Sequence, residues 1–410
     1  MRFIYLDANL RAELGHHANY ARSIVREMRA LNIDTVVVAN AAVEPELRAE
    51  LGARPHFRVY VDAPQDHDPA AGWLNTFDIL SQITRDELRL IGGIRSDDLV
   101  YFSSLYPALF MGLAKWAGTL EPAQLPTIAA DFCVGPGLHI SVGADHQVSY
   151  ALRDPREDPS ALLFGFAARK ITKDVARRLT LASFDRPAAA AFQVLLGHPV
   201  QTWPAPIQAT TSRRSRTGTR PITVSVLGHQ RPDKGYDHVP EVVAGLLRAR
   251  SDVRVLVHNG STHQMRTAQS GLRALAQQED RLELDETMAG PEIWGRLLDR
   301  SDLIVCPYHP GSFVTRFSAL TAEAIANAIP LVVPAHTSLA SLVAEFGGSG
   351  TTFEAWTPAS ILQAVHRALD DFDRHAAIAV HASERWAQTQ GPRLTARSLL
   401  ALVQSPAPPG

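Results

Sequence analysis

A polar segment in the second half of the chain has the composition of a phosphate site. Residues 228–235 read GHQRPDKG, after the apolar run at 223–227 and before a stretch with helical spacing. Gly228 lets a phosphate approach the backbone closely, Arg231 can donate to two phosphate oxygens, and Lys234 adds a second positive charge. These three residues are therefore predicted phosphate ligands. The alternative is a polar turn that precedes a helix.

A longer polar loop follows the apolar run at 303–306. It carries Tyr308, Arg316 and Ser318 toward a predicted helix at 319–327, whose first backbone N–H groups attract anions. Glu323 lies one turn into that helix, which is otherwise apolar. Its carboxylate can accept two hydrogen bonds from a ribose diol, or it can complement the helix dipole.

Short β-branched runs alternate with amphipathic stretches along the whole chain, which predicts α/β structure with parallel sheets. A break rich in Pro, Thr, Ser and Arg separates two such halves. Strands are predicted in the first half at 3–6, 35–39, 57–61, 99–102, 127–130, 179–182 and 199–202, and in the second at 222–227, 253–258, 282–284, 303–306 and 331–333. Ligands of such sheets bind at the carboxyl ends of the strands, where both polar segments lie.

Residues 222–353 resemble the nucleotide-sugar-binding domain of GT-B glycosyltransferases of the bacterial family 4-like, or group 1, kind. The resembling segments are GHQRPDKG, VRVLVHNG and SDLIVCPYHPGSFVTRFSALTAEAIANAIPLVVP. The resemblance implies two Rossmann-like doubly wound domains facing across a cleft. It also implies that Arg231 and Lys234 bind the donor diphosphate and that Glu323 holds the donor ribose. Transfer would then run from a nucleotide diphosphate-sugar to a hydroxyl acceptor on a glycan, a lipid-linked sugar or another molecule.

The expected domain plan follows from this resemblance. Residues 1–204 are expected to bind the acceptor, 205–220 to form a linker, and 221–375 to bind the nucleotide-sugar. Residues 376–410 are expected to contain a helix that crosses back to the first domain, followed by a Pro-rich tail. An alternative for the arginines of the linker (Arg213, Arg214, Arg216 and Arg220) is contact with phosphate or anionic lipid.

The chain departs from that family at one position. The family carries two glutamates separated by seven residues, and Thr315 stands where the first is expected. The pattern is similar to a bacterial subgroup without this glutamate, in which Arg316 and Ser318 are expected to contact the donor phosphates. A retaining mechanism therefore does not follow. The alternatives are a nucleotide-sugar 2-epimerase of the same architecture and a catalytically inactive binding or assembly protein.

The first half is expected to complete the donor site. In GT-B enzymes the loop after the first strand contains glycine and faces the donor diphosphate. Gly15, with the backbone amides of His16 and His17, fits that description. Adjacent histidines on a helix point in different directions, so at most one ring is expected to face the cleft. A surface position for either is the alternative.

A catalytic base, where the reaction needs one, is expected from the first half. Asp131 follows the apolar run at 127–130 and is the first candidate, with His16 the second. Ser103 and Ser104 follow the run at 99–102 and are candidates to position the acceptor. The alternative for Asp131 is a carboxylate that caps a turn.

No metal or other cofactor is expected. Asp97-Asp98 precedes a predicted strand and does not follow one, and Arg231 and Lys234 can stabilise the charge of a leaving phosphate. The stretch FAARKITKDVARRLTL at 166–181 predicts a basic amphipathic helix that can lie on an anionic membrane surface. An ordinary solvated helix is the alternative.

Composition narrows the class of protein. The 410 residues are 46% hydrophobic and carry 40 Lys+Arg against 42 Asp+Glu, so the near-neutral charge gives no footprint for nucleic-acid binding. Cys133 and Cys306 are too few for a disulfide framework. The N-terminus lacks the basic start of a signal peptide, and no window reaches the ~20 apolar residues of a membrane span. We expect a cytoplasmic protein, with peripheral membrane contact if the basic helix forms.

Overall fold

Two parallel β-sheets organise the chain, each in a unit of its own. The computed structural model describes residues 1–13, 15–59, 72–142, 148–210, 221–260, 264–287 and 290–404. By its contacts the chain divides into unit 1, which comprises Met1–Pro206, Thr315–Phe317 and Pro392–Gly410, and unit 2, which comprises Ile207–Val314 and Ser318–Gly391. The arginines of the expected linker and the Pro-rich tail lie outside the described residues.

Unit 1 contains a seven-stranded parallel sheet with the order β3-β2-β1-β4-β5-β8-β9. Its strands, with the pair β6 and β7 of a separate hairpin, are β1 (Phe3–Asp7), β2 (Thr35–Asn40), β3 (Ala53–Phe57), β4 (Leu99–Phe102), β5 (Thr127–Asp131), β6 (Leu138–Val142), β7 (Val148–Leu152), β8 (Leu179–Ser183) and β9 (Val200–Thr202). The helices are α1 (His16–Ala30), α2 (Pro45–Leu51), α3 (Gly72–Leu90), α4 (Pro107–Ala117), α5 (Ser160–Ala168), α6 (Lys173–Arg178) and α7 (Arg186–Leu196).

Unit 2 contains a six-stranded parallel sheet with the order β12-β11-β10-β13-β14-β15. The strands are β10 (Ile222–Val226), β11 (Val253–His258), β12 (Leu282–Asp285), β13 (Leu303–Val305), β14 (Leu331–Pro334) and β15 (Gly350–Phe353). The helices are α8 (Val239–Ala249), α9 (Arg266–Ala276), α10 (Pro291–Arg300), α11 (Ala319–Ala326), α12 (Ser338–Glu345), α13 (Pro358–Asp370) and α14 (Phe372–Thr389). A last helix, α15 (Pro392–Gln404), follows Gly391 and packs on α1 of unit 1.

The strands are buried runs because helices cover both faces of a parallel sheet. All five residues of β1 and all four of β4 are buried, and alternate residues of these strands, such as Leu6 and Phe102, belong to a large core of unit 1. A second core fills unit 2, between β10, β11 and the apolar faces of α8 and α13. In the part of the chain that the structure describes, no helix combines the length and apolar character needed to cross a membrane.

The strands at the centre of each sheet confirm the predicted α/β class, and four local features differ from the predictions. β3 occupies Ala53–Phe57, so the strand predicted at 57–61 begins too late. The hairpin of β6 and β7 was not predicted, because its alternating apolar residues sit among His and Ser. Its Leu138 packs on a small separate cluster with Ala161 and Ala191.

The stretch with helical spacing that follows residues 228–235 also becomes a regular helix later than expected. Two single 3-10 turns, Pro232–Lys234 and Tyr236–His238, precede α8. Gly235 between them has a φ of +66°, and a Cβ there would lie 1.8 Å from the carbonyl oxygen of Pro307. A glycine in the left-handed region ends the first turn, so the regular helix starts only at Val239.

The basic stretch at 166–181 does not form one helix, and this prediction is wrong. Helix α5 ends at Ala168, α6 is short and starts at its cap Thr172, and Leu179 begins strand β8. The apolar residues of the stretch therefore belong to different elements, with Leu181 buried in the sheet. The continuous amphipathic surface that suggested membrane contact does not exist.

Candidate functional site

The carboxyl edge of the sheet in unit 2 gathers the polar loops that the sequence singled out. Strands β11, β10 and β13 are neighbours, so the segments that follow them in unit 2, at 259–260, 227–235 and 306–314, lie side by side. Such an edge presents loop backbone and helix N-termini to a ligand.

Lys234, Tyr308 and Gly228 lie together at this edge. The ammonium of Lys234 is 5.2 Å from the centre of the Tyr308 ring, which is the range of a cation–π contact. Gly228 has a φ of +107°, and a Cβ there would lie 3.5 Å from Nζ of Lys234 and 3.9 Å from the Tyr308 hydroxyl. The glycine thus leaves room above its backbone where a cationic group is close.

Arg231 is engaged by a neighbouring carboxylate. Its Nε donates to Oδ1 of Asp233 over 2.9 Å, and its Nη2 donates to Oδ2. The two side chains are 35% and 26% exposed. A phosphate that binds Arg231 must therefore share the guanidinium with Asp233.

A buried amide holds the loop that carries Gly228. The Gln230 side chain is 1% exposed, and its Nε2 donates to the carbonyl oxygens of Gly228 (2.8 Å) and His258 (2.7 Å). The ring nitrogens of His258 lie 3.2 Å from the carbonyl oxygen of Gly228 and 3.0 Å from that of Thr287. The ends of β10 and β11 are fixed to each other by these contacts, which sequence analysis did not identify.

Glu323 projects from α11 and meets a tryptophan of α10. The indole Nε1 of Trp294 donates to Oε2 of Glu323 over 2.9 Å. Burial raises the pKa of Glu323 to about 7, against the lowering effects of the Trp294 hydrogen bond and the Lys234 charge. The carboxyl group therefore changes its charge near neutral pH.

The two remaining predicted phosphate ligands, Ser318 and Arg316, have different environments. Ser318 caps α11, because its Oγ accepts a hydrogen bond from the backbone N–H of Thr321. In this cap the Ser318 hydroxyl acts as an acceptor, and it can also donate its hydrogen to another group. Arg316 lies in the short segment Thr315–Phe317, which is grouped with unit 1.

In unit 1, a carboxylate and a histidine pair at the end of the central strand. Asp7, the last residue of β1, is 1% exposed and lies 2.9 Å from Nδ1 of His17. It also accepts the backbone N–H of Asn9 over 2.9 Å. When Asp7 accepts from Nδ1–H, the neutral ring has its lone pair on Nε2.

Asp131 and His16, the two predicted catalytic residues, are linked through a serine. The buried Oδ1 of Asp131 accepts the Tyr101 hydroxyl and, over 3.2 Å, the backbone N–H of Ser104. Ser104 Oγ lies 3.2 Å from Nε2 of His16. Burial raises the pKa of Asp131 to about 6, although the Tyr101 and Ser104 hydrogen bonds lower it. Asp131 has no exposed surface. It can therefore affect a bound molecule indirectly, through Ser104 and His16.

The two histidines therefore have separate polar partners within unit 1. Gly15 precedes them as the N-cap of α1, with a φ of +84°, and the two imidazole centres are 4.2 Å apart. Ser104 itself has a φ of +60°, an uncommon conformation for a residue with a Cβ. Asp7 was missed as a candidate, although it ends an apolar run just as Asp131 does.

Among the described residues, no group of three or more His, Cys, Asp or Glu side chains could hold a metal ion. The expectation of a metal-independent site remains a prediction.

Comparison with known proteins shows which solved structures share this fold. No protein-family model matches the chain, and no curated protein sequence matches it. Among solved structures, sucrose-phosphate synthase from Thermosynechococcus elongatus aligns with a TM-score of 0.66 at 13% identity, over 98% of each chain. Anabaena HepE, solved in complex with UDP, aligns with a TM-score of 0.61 at 14% identity, over 99% of this chain and 100% of HepE.

A third similar structure is that of a protein described as an epimerase. A putative UDP-N-acetylglucosamine 2-epimerase from Listeria monocytogenes aligns with a TM-score of 0.61 at 12% identity, over 98% of this chain and 96% of that one. The two parallel sheets define an α/β protein with two Rossmann-like units. The likeness to glycosyltransferase structures over almost the full chain identifies the architecture as the GT-B fold.

Proposed function

We propose that the chain is a glycosyltransferase that moves a sugar from a nucleoside diphosphate sugar to a hydroxyl acceptor. The observation that carries this proposal is the group at the carboxyl edge of unit 2, where the Lys234 ammonium lies beside Gly228 and Tyr308. A cation above a close-approach glycine suits a diphosphate. HepE, which has the same fold, was solved with UDP bound.

In this proposal the protein binds the sugar donor at two groups of its nucleotide, the diphosphate and the ribose. Lys234 stabilises the diphosphate as it leaves, because a fixed cation stabilises charge that develops in the transition state. Glu323 accepts hydrogen bonds from the ribose diol. Arg231 and Ser318 are proposed as further phosphate ligands.

Two more residues are proposed at the diphosphate. They are Arg316 and the backbone at Gly15. Both belong to contact groups of unit 1, and their role as phosphate ligands rests on the sequence pattern.

Acceptor activation is proposed for the paired histidines of unit 1. A hydroxyl that attacks the sugar must give up a proton, and an imidazole is the usual acceptor at neutral pH. Asp7 orients His17 through Nδ1, and Asp131 acts on His16 through Ser104. His17 joins His16 as a candidate base, whereas Asp131 is proposed as a positioning residue.

Turnover tests the proposal. The protein is incubated with UDP- and GDP-hexoses and a panel of glycan and lipid-linked acceptors, with EDTA present, and mass spectrometry follows nucleoside diphosphate release and product mass. We expect transfer that Lys234→Ala abolishes and Lys170→Ala, a change at an exposed lysine, leaves intact. Activity that disappears with EDTA contradicts metal-independent transfer.

The likeness to the Listeria protein keeps a 2-epimerase as the second candidate, since its TM-score equals that of HepE. An epimerase inverts the sugar at C2 without an acceptor, which proton NMR of the sugar detects directly. Nucleotide binding without either reaction supports the inactive binding protein that Thr315 suggested.

A further inference from the structure

The tryptophan that touches Glu323 has no role in the donor site outlined above. Trp294 lies on α10, between β12 and β13, and its indole Nε1 donates a hydrogen bond of 2.9 Å to the Glu323 carboxylate. Its ring is 6.3 Å from that of His258, at a steep angle. Trp294 is half-buried in the first turn of α10, and its neighbour His258 is the last residue of β11, so Trp294 lies at the same edge of the sheet as the phosphate residues.

Glu323 needs a fixed orientation to recognise a ribose. A carboxylate on a flexible side chain loses rotamer freedom when it binds, and this loss weakens the contact. The hydrogen bond from Trp294 occupies Oε2, and Oε1 has no hydrogen-bond partner among the described residues. The carboxylate is thus held by one oxygen while the other remains an acceptor.

We propose that Trp294 is a positioning residue that holds Glu323 for recognition of the ribose hydroxyls and so gives the site its preference for ribonucleotides. This inference rests on the proposed function, because it assumes that a nucleotide binds at this edge of unit 2. It assigns to Trp294 a specificity role and no contact with the reacting atoms.

The chemistry of the contact supports this role. An indole N–H donates and cannot accept, so it holds one oxygen of the carboxylate without competing for the hydroxyl hydrogens of a ribose. The bond also stabilises the ionised form of Glu323, as does the charge of Lys234. A carboxylate accepts hydrogen bonds from hydroxyls more strongly than a neutral carboxylic acid.

The test compares matched ribo- and deoxyribonucleotides by calorimetry. The probes are UDP with 2′-deoxy-UDP and GDP with 2′-deoxy-GDP, titrated into the wild type, Trp294→Phe and Trp386→Phe. Trp386 is the control, because its indole also donates one hydrogen bond over 2.9 Å, to the carbonyl oxygen of Ile207. We expect the wild type to prefer the ribonucleotide at least tenfold, Trp294→Phe to lower that preference about five- to tenfold, and Trp386→Phe to leave it unchanged.

A purely structural role for Trp294 predicts a different pattern. It lowers the affinity for both nucleotides equally and keeps their ratio, and that result overturns the inference. Two further readouts separate the cases. Loss of the indole donor should move the pH midpoint of ribonucleotide binding upward, and Trp294→Phe should add little to the loss of preference already caused by Glu323→Gln.

The outcomes distinguish the inference from the proposed function. A wild type that binds no nucleoside diphosphate overturns both. A wild type that binds, with a ribose preference that Trp294→Phe does not change, overturns the inference alone. If Trp294→Phe does not fold, Trp294→Leu removes the same donor, and Trp294→His, which keeps a ring N–H, should retain the preference within about threefold.

Discussion

Removal of the Asp233 carboxylate should tighten the binding of a nucleoside diphosphate. In the structure Asp233 holds the guanidinium of Arg231 by two hydrogen bonds, so this carboxylate competes with phosphate for the same donors. It also adds a negative charge beside a dianionic or trianionic ligand. Asp233→Asn removes both effects, and the affinity should rise although a native ion pair is lost.

The magnitude follows from the exposure of the pair. The Arg231 and Asp233 side chains are 35% and 26% exposed, so their attraction is screened and is worth about 0.2–1 kcal/mol. Repulsion between unit charges ~5 Å apart in a water-like medium is about 0.8 kcal/mol. Together these terms predict that Asp233→Asn tightens binding by about 1 kcal/mol, or roughly fivefold.

A double-mutant cycle measures the competition. Arg231→Ala should cost at most about 1 kcal/mol of nucleotide affinity in the wild type, where Asp233 occupies the guanidinium. In the Asp233→Asn background the same change should cost about 1.5–3 kcal/mol, the range for a hydrogen bond to a charged group. Isothermal titration calorimetry with UDP or GDP at low salt gives all four affinities.

The control is Asp237→Asn, which makes the same charge change at an exposed position. It should alter the affinity by less than twofold, and high salt should shrink the effect of Asp233→Asn. Weaker binding after Asp233→Asn would refute the reasoning, because it would show that Asp233 prepares Arg231 for the phosphate and does not compete with it.

Three further predictions concern stability. Gly235→Ala should fail to fold or lose several kcal/mol in a denaturant titration, because the new Cβ would lie 1.8 Å from a backbone carbonyl oxygen at a φ of +66°. His375 accepts the backbone N–H of Gly350 at Nδ1 and burial lowers its pKa, so the free energy of unfolding should fall as the pH drops below about 6.5, and fall less in His375→Gln. Burial opposes ionisation of Asp98, but hydrogen bonds from Arg2 and Arg95 together outweigh it and lower its pKa to about 2. Asp98→Asn should cost about 2 kcal/mol at pH 7, and this difference should vanish in melts as the pH falls from about 4 toward 2.

The sheets could be predicted from the sequence because their strands are buried on both faces. Runs such as 3–6 and 99–102 are apolar throughout, which leaves little ambiguity. The hairpin of β6 and β7 is packed on one side only, so its apolar residues alternate with polar ones and form a weaker signal. The basic stretch at 166–181 was misread because its charges outnumber the apolar residues that enter α6 and β8.

The candidate site was predictable where a residue with a chemical role follows a buried run closely. Gly228, Tyr308 and Asp131 are examples, and the structure brings Gly228 and Tyr308 to the same edge. Side-chain contacts between different elements leave no comparable pattern in the sequence. Trp294 stands 29 residues before Glu323, and the competition of Asp233 for Arg231 depends on side-chain orientation, which spacing does not determine.

Direct nucleotide binding tests the central claim. The wild type and Lys234→Ala are titrated with UDP, GDP, ADP, TDP and NAD⁺ in metal-free buffer, by calorimetry and by thermal shift. We expect one nucleoside diphosphate to bind with a Kd near 10 μM, which at 1 mM ligand stabilises the fold by about 2.7 kcal/mol, and Lys234→Ala to weaken it by tenfold or more. Binding of NAD⁺ alone, or no binding at millimolar ligand, would contradict the account.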